Sequence, residues 1–357
     1  MMVRKWGVVR EIIFTEPQLQ ELLVEVDGKL QRAYNYPQLA GSLQVGAKVL
    51  LNTSAVELSL GTGGRHFVLP TQSGGELGPG HIMKLRYTPL QFNSLSVEEE
   101  DSPLHSQIQE FESLAGMPVL IGTLHSQLPP MAAGLRFTEE GTRRGLKIAY
   151  LMTDGAALPL ALSRLVPRLR KAGLIDFVIT CGQAYGGDYE AINLYSGLAA
   201  AKVLGADAAL VAMGPGIVGT GTTWGTTAIS QGEAINAVNI LGGRPVAVPR
   251  LSFADPRSRH RGVSHHTITS LGKVALTEAI LALPKLKPEW EQLVHRQLTE
   301  VGLAVKHKLL IADSSYVLPL LEKLEIPLST MGRGPREEEA FFLAAAAAGV
   351  IGASLLF

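Results

Sequence analysis

Over the first hundred residues, apolar and polar positions alternate in short runs, which is the pattern of half-buried β-strands. Asp27 and Gly28 stand between two of these runs, where a β-hairpin has its two-residue turn. Short strands at such close spacing are typical of a small closed barrel or sandwich. We therefore predict strands at residues 6–13, 22–26, 30–36, 48–51, 66–69 and 83–87.

Beyond residue 100 the pattern changes to strand-like apolar runs that alternate with longer helical stretches. Such alternation marks βαβ units, which build a mostly parallel sheet with helices on both faces. The predicted fold class is therefore α/β, a mostly parallel three-layer sheet (Rossmann-like) with a small N-terminal β-barrel-like domain. The predicted strands are residues 119–121, 147–152, 175–180, 208–212, 245–249 and 308–311, and the predicted helices are residues 158–171, 188–204, 226–241, 267–283 and 314–324.

A chain of 357 residues exceeds the size at which a single hydrophobic core usually stops growing, so two domains are expected. An acidic run at residues 98–101 is followed by Ser102 and Pro103, and proline suits the first turn of a new helix. We place the boundary there. The prediction is a β-rich barrel-like domain at residues 1–100 and an α/β domain at residues 101–357.

Charge and cysteine content narrow the class of partner and the compartment. Lysine plus arginine total 32, and aspartate plus glutamate also total 32, so neither nucleic acid nor an anionic membrane surface is expected as a partner. The single cysteine, Cys181, excludes an internal disulfide and a cysteine-rich metal cluster. The first residues lack the continuous apolar stretch of a secretory signal. Together these features predict a cytoplasmic protein.

Residues 340–357 carry no charge, and this length reaches the lower limit for a membrane-spanning helix. Alanine and glycine dominate the run, and no basic anchor follows it. We therefore predict a helix buried in the α/β core rather than a membrane span. The same helix would suit a contact between two copies of the chain, so a homodimer stays open.

The loops that follow the predicted parallel strands carry the candidate chemistry. Right-handed crossovers place these loops at one edge of the sheet, beyond the carboxyl ends of the strands, where ligands bind in α/β folds. Titratable side chains in these loops are therefore expected to share a rim. Ordinary turn and helix-capping roles are the alternative for each of them. The candidate catalytic residues are His125, Asp154, Asp188, His265 and His266.

The longest glycine-rich stretch is GPGIVGTGTT, at residues 214–223. Its glycines would let backbone N–H groups approach a ligand, and its threonines would add hydroxyl donors, a combination that suits a phosphate or a carboxylate. The spacing matches neither a Walker A motif nor the dinucleotide-binding fingerprint. A tight loop that needs glycine only for its backbone angles is the alternative. The candidate ligand-binding residues here are Gly214, Gly216, Gly219, Thr220, Gly221 and Thr222.

A second stretch, SFADPRSRHRGVSHHT at residues 252–267, is rich in arginine and histidine. Planar guanidinium groups could bind an anion, which makes Arg257, Arg259 and Arg261 further candidate ligand-binding residues. A solvated basic loop, with a histidine capping the next helix, is the alternative.

The histidines of this stretch have a third interpretation. With Asp154 or Asp188 they could bind a divalent metal or share acid–base chemistry. Adjacent side chains point apart unless a turn brings them together, so the tandem His265 and His266 are not a recognised pair of metal ligands. No metal site is assigned on this basis.

Seven segments, spread from residue 35 to residue 267, carry a resemblance. They are NYPQLAG (residues 35–41), LLNTSAVELSLGTGG (50–64), GHIMKLRYTPLQ (80–91), LHSQLP (124–129), MTDGAALPL (152–160), GADAALVAMGPGIVGTGT (205–222) and SFADPRSRHRGVSHHT (252–267). In these segments the chain resembles a bacterial family known only as a domain of unknown function, mostly from Gram-positive and related bacteria. The resemblance implies one inherited two-part unit. It implies no activity and no substrate, and the cofactor is unknown.

Two functions of different class follow from these patterns. The first is an enzyme that binds a small anionic molecule, bearing a phosphate or a carboxylate, at the carboxyl edge of the parallel sheet. The second is a non-catalytic module that senses a metabolite or docks a protein partner. Nucleic-acid binding would depend on residues 250–261 alone. The reaction and the substrate stay open.

Overall fold

The computed structural model describes residues 2–59, 63–71, 77–138, 141–143, 145–156 and 158–356. Part of the resembling segment LLNTSAVELSLGTGG, residues 60–62, lies outside the described residues. The chain divides into two compact units, the barrel unit (Met1–Ser94) and the α/β unit (Leu95–Phe357).

The barrel unit contains short strands and two single-turn helices. In chain order its elements are β1 (Arg4–Glu16), β2 (Leu19–Val26), β3 (Lys29–Asn35), α1 (Pro37–Ala40), β4 (Lys48–Asn52), α2 (Ser54–Glu57), β5 (Arg65–Leu69), β6 (Ile82–Lys84) and β7 (Phe92–Ser94).

Strands β1 to β5 close into a barrel in the order β1-β2-β3-β5-β4. The long strand β1 closes it by pairing antiparallel with β4 through residues 4–8 and with β2 through residues 8–16. Asp27 and Gly28 both have positive φ (51° and 75°), which is the backbone of a tight hairpin turn between β2 and β3. Buried aliphatic side chains such as Leu22 fill the interior.

The predicted strand at residues 83–87 is wrong in its second half. β6 ends at Lys84 and pairs with β7 outside the barrel. Leu85 and Tyr87 have φ of 49° and 63°, a left-handed backbone that cannot continue a strand.

The α/β unit alternates strands and helices over most of its length. In chain order its elements are α3 (His105–Gln109), β8 (Pro118–Ile121), α4 (Leu128–Arg136), β9 (Ile148–Thr153), α5 (Leu165–Lys171), β10 (Phe177–Cys181), β11 (Tyr189–Ala191), α6 (Leu194–Val203), β12 (Ala208–Met213), α7 (Ser230–Ile240), β13 (Arg244–Ala247), β14 (Leu251–Ser252), β15 (Gly262–Val263), α8 (His265–Thr269), β16 (Ile280–Pro284), α9 (Pro288–Glu300), α10 (Leu303–Lys306), β17 (Lys308–Ala312), α11 (Val317–Lys323) and α12 (Glu339–Ser354). Single 3-10 turns lie at His125–Gln127, Leu160–Leu162, Thr227–Ile229 and Ser258–His260, and a π-helical turn lies at Ser270–Val274.

The main sheet of this unit has eight strands over the described residues, in the order β11-β10-β9-β12-β8-β13-β16-β17. Each neighbouring pair is parallel. Successive residues of the buried strands face opposite cores. Val119 and Ile121 face the core with α6, α7 and α9, whereas Leu120 faces the core with α4, α5, α11 and α12. The predicted fold class, a three-layer α/β sheet with a small β-barrel, is confirmed.

Two predicted helices are wrong in part. Residues 188–204 include strand β11, and residues 267–283 include the last three residues of α8, a π-helical turn and most of strand β16. Four of the five residues of β16 are buried. A short, fully buried strand shows no alternation, so its pattern cannot be told from that of a buried helix.

The uncharged run near the end of the chain forms helix α12. Residues 344–348 of this helix are fully buried within the α/β unit, so its apolar surface belongs to the core. A homodimer stays a prediction. Among the helices that the structure describes, none combines the length and the apolar character needed to cross a membrane.

Helices α4 and α12 cross where Gly134 faces Gly349. A Cβ atom at Gly134 would lie 2.5 Å from the carbonyl oxygen of Ala346, and one at Gly349 would overlap the carbonyl oxygen of Met131. Glycine at both positions lets the two backbones touch.

Replacing Gly349 by alanine is expected to lower the free energy of unfolding by roughly 1–3 kcal/mol, because the opposing atoms are backbone and cannot rotate aside. The matched control is Gly272→Ala, where a Cβ would meet nothing nearer than Cδ2 of Leu303 at 3.7 Å. Urea denaturation followed by circular dichroism measures the difference. Equal midpoints for the two variants would contradict this account of the helix crossing.

Candidate functional site

The carboxyl ends of β12, β8 and β13 lie side by side in the sheet. The segments that follow β12 and β13 pack on one face, whereas α4, which follows β8, packs on the other face. A change of face between neighbouring strands opens a crevice at the strand ends, which is where α/β proteins bind ligands. The loops that follow β12 and β13 therefore turn the same way and meet.

These two loops are the glycine loop (residues 214–223) and the basic loop (residues 252–267), and they are in contact. A Cβ atom at Gly219 would lie only 2.6 Å from Cε1 of His266, so any side chain there would displace the imidazole ring. Gly221 has φ of +82°, and a Cβ there would lie 3.6 Å from the guanidinium carbon of Arg259. The structure thus brings these four predicted site residues together.

Three histidines of the basic loop, His260, His265 and His266, form a cluster. One ring nitrogen from each lies within 4.8 Å of the other two, and the ring centroids are 4.2 to 5.1 Å apart. His265 and His266 open helix α8, where successive side chains are about 100° apart around the axis. The helical backbone therefore lets the side chains of the tandem histidines converge, and it places both of them next to His260.

Ser264 contacts two of the three histidines of the cluster. As the N-cap of α8, its Oγ accepts the backbone N–H of His266 at 3.3 Å, and it lies 2.8 Å from Nδ1 of His260. One hydroxyl therefore holds both the start of the helix and the orientation of a ring. The second nitrogen of His260, Nε2, remains available to the cluster.

Burial keeps the imidazoles of the cluster neutral. Burial, then the nearby Arg250 and Arg257, lowers the pKa of His260 to about 3. Burial, then His265 and the nearby arginines, lowers the pKa of His266 to about 4. The pKa of His265 is also lowered, by burial and by Arg259.

Several ring nitrogens of this cluster are buried without a hydrogen bond. Nε2 of His265 and both Nδ1 and Nε2 of His266 have no partner among the residues that the structure describes. Buried polar atoms nearly always have a partner, so these three call for an explanation.

Arg257, which was predicted to bind a ligand, forms an ion pair with Asp255 within the basic loop. Its guanidinium donates to both oxygens of Asp255, at 2.9 and 2.7 Å. The Asp255 carboxylate is fully buried and also lies 3.4 Å from Arg250 and 3.7 Å from Arg333. Arg257 holds the pKa of Asp255 well below its usual range. This pairing gives Arg257 a structural role in the loop, and its assignment to ligand binding stays a prediction.

Arg257, Arg259 and Arg261 are all exposed, but neither the Arg259 nor the Arg261 guanidinium has a hydrogen-bond or ion-pair partner within the described ranges. Arg259 lies against the glycine loop at Gly221. Arg261 is anchored through its backbone carbonyl, which accepts from Gln297 at 3.1 Å, and no described contact joins its side chain to the glycine loop. Arg259 is therefore the arginine at the meeting point of the two loops.

The other predicted residues of the glycine loop have local roles. Gly214 is buried, and a Cβ there would lie 3.1 Å from Leu158 and from Met152. Gly216 is exposed and has φ of +110°, a backbone angle that favours glycine. The hydroxyls of Thr220 and Thr222 contact each other at 2.9 Å and bond to the backbone of Gly225. These hydroxyls close the loop, so the ligand donors that it offers are backbone N–H groups.

His125 lies at the predicted edge but is buried beneath it. Its Nε2 lies 2.6 Å from Oγ of Ser163, and its Nδ1 lies 3.3 Å from the hydroxyl of Tyr150. Burial lowers the pKa of His125 to about 4. Both ring nitrogens are engaged inside the protein, and the catalytic role of His125 stays a prediction.

Asp154 lies at the predicted edge, directly after β9, where its carboxylate accepts the backbone N–H of Gln183 at 3.1 Å. The strand order puts β9 three positions from β13, or about 14 Å across the sheet. The end of β9 is therefore well separated from the end of β13, which leads into the basic loop. No described contact joins Asp154 to the histidine cluster.

Asp188 is not at this edge, and its predicted place at the rim is wrong. It directly precedes β11, and its carboxylate accepts the backbone N–H of Val178 at 2.8 Å, near the amino end of β10. It also pairs with Arg170 of α5 at 2.5 Å. The connection from β10 to β11 contains no helix, so residues 182–188 alone carry the chain back to the opposite edge.

A family model described as a protein of unknown function, DUF3866, matches residues 32–349, from within β3 to within α12. The chain belongs to the DUF3866 family. The predicted resemblance to an uncharacterised family is thereby confirmed, and the match brings no activity, substrate or cofactor with it. A comparison with curated proteins found no match.

Three residues of the basic loop in this DUF3866 chain, His260, Ser264 and Asp255, were not among the candidate catalytic or ligand-binding residues. A serine directly before a helix is a common N-cap, so Ser264 had a recognisable signal. His260 had the signal of a histidine-rich stretch, whose histidines were interpreted as metal or acid–base residues. Asp255 had no signal of its own, because its partners are fixed by how the loop folds back.

Proposed function

We propose that this protein binds a small anionic ligand, bearing a phosphate or a carboxylate, between the glycine loop and the basic loop, and acts on it as an enzyme. The position of Arg259 carries the proposal. Its guanidinium is exposed, has no partner among the described residues, and lies beside the backbone of Gly221. An arginine in this state is a ready partner for carboxylate or phosphate oxygens.

The backbone of the glycine loop supports the same ligand. The N–H groups of Gly219, Gly221 and Thr222 are in exposed residues and donate to no acceptor within the described part of the chain. Free backbone donors next to a guanidinium form a concavity suited to an anion. The nearby imidazoles are neutral and adjoin the same loop, so they can hydrogen-bond a bound molecule or bind a metal ion beside it, which favours an enzyme over a non-catalytic sensor.

The charge balance of the basic loop favours a small ligand over nucleic acid. Asp255 neutralises part of the charge by pairing with Arg250 and Arg257. The loop therefore offers Arg259 and Arg261 rather than the continuous basic patch that a phosphodiester backbone requires.

Replacing Arg259 by glutamine is expected to weaken the binding of inorganic phosphate at least about tenfold, because a charge-assisted hydrogen bond is lost. Isothermal titration calorimetry at constant ionic strength measures the affinity, with acetate titrated in parallel as a carboxylate probe. The protein is first treated with a chelator. The matched control is Arg296→Gln, at an exposed arginine of α9 that makes only a 3.9 Å contact with Glu300. Equal phosphate affinity in R259Q and wild-type protein would rule out this site.

A further inference from the structure

We propose that His260, His265 and His266 form a binding site for one divalent transition metal ion, with zinc as the reference ion. Three imidazoles are a recurrent zinc ligand set, and this set leaves a fourth position open for water or substrate. The site needs no residue outside the basic loop. It does not depend on the proposed function, apart from the identity of the fourth ligand.

The separation of the donor atoms fits a site that closes around an ion. One nitrogen from each ring lies within 4.8 Å of the others. Tetrahedral zinc with Zn–N bonds of about 2.0–2.1 Å holds its ligand nitrogens about 3.3 Å apart. Rotations of the imidazole rings about their side-chain bonds cover this difference of about 1.5 Å without movement of the backbone.

The unpartnered nitrogens supply the independent observation. His266 is only 6% exposed, yet neither of its ring nitrogens has a hydrogen-bond partner in the described residues, and Nε2 of His265 is in the same state. Ring packing alone would leave all three atoms unsatisfied. A metal ion at the centre of the cluster would engage His265 through Nε2 and His266 through one of its nitrogens.

The surroundings of the cluster have the properties of a metal site. Ser264 holds Nδ1 of His260 at 2.8 Å, which is the kind of outer contact that orients a ligating histidine. The rings are neutral, which is the form that binds a metal. The nearby positive charges of Arg250 and Arg257 are paired with Asp255, which reduces their repulsion of a cation.

The fourth position faces the anion site, and here the inference rests on the proposed function. His266 touches Gly219, and Arg259 lies beside Gly221 in the same loop. Three neutral ligands leave the charge of a divalent ion uncompensated. A phosphate or carboxylate held by Arg259 would therefore complete both the coordination and the charge balance.

Zinc titration of full-length, untagged, chelator-treated protein tests the metal site, with a competing chromophoric chelator as reporter. We expect one zinc ion per chain in wild-type protein. His266→Ala and His265→Ala are each expected to bind zinc at least about 100-fold more weakly, since even outer-shell partners of metal ligands are worth 10–100-fold. The matched control, His295→Ala, changes an exposed histidine of α9 and should bind as the wild-type protein does. Zinc binding of His266→Ala with wild-type affinity, or no stoichiometric zinc in the wild-type protein, overturns the proposal.

Two further measurements protect the test against a folding defect. Ser264→Ala keeps all three ligands and should retain one zinc ion per chain with about tenfold weaker affinity. Co²⁺ in place of zinc should give the strong visible bands of tetrahedral coordination in the wild-type protein and not in His266→Ala, provided that both have the same far-ultraviolet circular dichroism. A cobalt spectrum that is unchanged in His266→Ala counts against the site.

Phosphate titration of metal-free and zinc-loaded protein separates this inference from the proposed function. Zinc binding without any phosphate binding retains the metal site and rejects the anion site. Phosphate binding that depends on Arg259, without zinc binding, retains the anion site and rejects the metal site. Tighter phosphate binding in the zinc-loaded protein supports both, with the anion as the fourth ligand.

Discussion

Replacement of Asp255 by alanine is expected to lower the free energy of unfolding of the α/β unit by about 3–5 kcal/mol, because it removes one side of a buried ion pair and leaves the other side uncompensated. The Asp255 side chain is fully buried, and the side chain of Arg250 is only 7% exposed. Burial already lowers the pKa of Arg250, so its charge is costly even with the partner present. Arg257 would also lose both of its contacts.

In Asp255→Ala the basic loop should lose its ordered structure at a lower urea concentration than the rest of the α/β unit. Phe253 and Trp290 are stacked, with ring centroids 4.1 Å apart, so disorder of the basic loop should change the fluorescence of Trp290 before the main unfolding transition. The matched control is Asp313→Ala, whose carboxylate is half exposed and lies 3.9 Å from Lys285. That change should stay within about 0.5 kcal/mol. If the two aspartate variants unfolded at the same urea concentration, the buried network would not be what holds the basic loop.

Acidification from pH 6.5 to pH 4 is expected to remove about 3 kcal/mol of stability through His125 alone. In the unfolded chain this imidazole has its ordinary pKa of 6.5. In the folded protein burial lowers the pKa of His125 to about 4. Between these values the unfolded state binds one more proton, so the stability falls as the pH falls. The contribution is complete only about one pH unit above 6.5, where the imidazole of the unfolded chain is also neutral.

The variant His125→Gln tests this dependence. Glutamine can still reach Ser163 but does not titrate, so its stability should fall less between pH 6.5 and pH 4 than that of the wild-type protein. Urea denaturation across this range, with a chelator present, compares each protein with itself, so a general cost of the substitution cancels. Parallel pH profiles for the two proteins would show that His125 is not a source of the acid sensitivity.

The fold could be predicted from the sequence where a strand buries only one of its faces, or where turn residues separate two strands. Alternation identified the strands of the barrel, and Asp27 with Gly28 marked the hairpin between β2 and β3. Each of the six predicted α/β strands overlaps an observed one. β16 was missed because a short, almost fully buried strand has no periodicity of its own, and β11 was missed because three residues are too few to show a period.

The candidate site was predictable at the level of loops and less so at the level of side chains. The glycine loop and the basic loop could be brought together by topology, since parallel strands end at one edge. The sequence could not predict which arginine stays unpaired. Arg257 and Arg259 are only two residues apart, and they differ in that Arg257 contacts the buried carboxylate of Asp255. Asp188 was misplaced because the return of the chain between β10 and β11 needs no helix.

The position of β12 between β8 and β9 has a consequence for biosynthesis. β8 and β9 leave the ribosome first, yet neither pairs with the other; both pair with a strand that ends at Met213. Domains fold in the order of translation, so a nascent chain that ends before β12 would hold β8 apart from β9, β10 and β11, without the strand that joins them. The two sides of the sheet can therefore be joined only after the chain has been synthesised as far as β12.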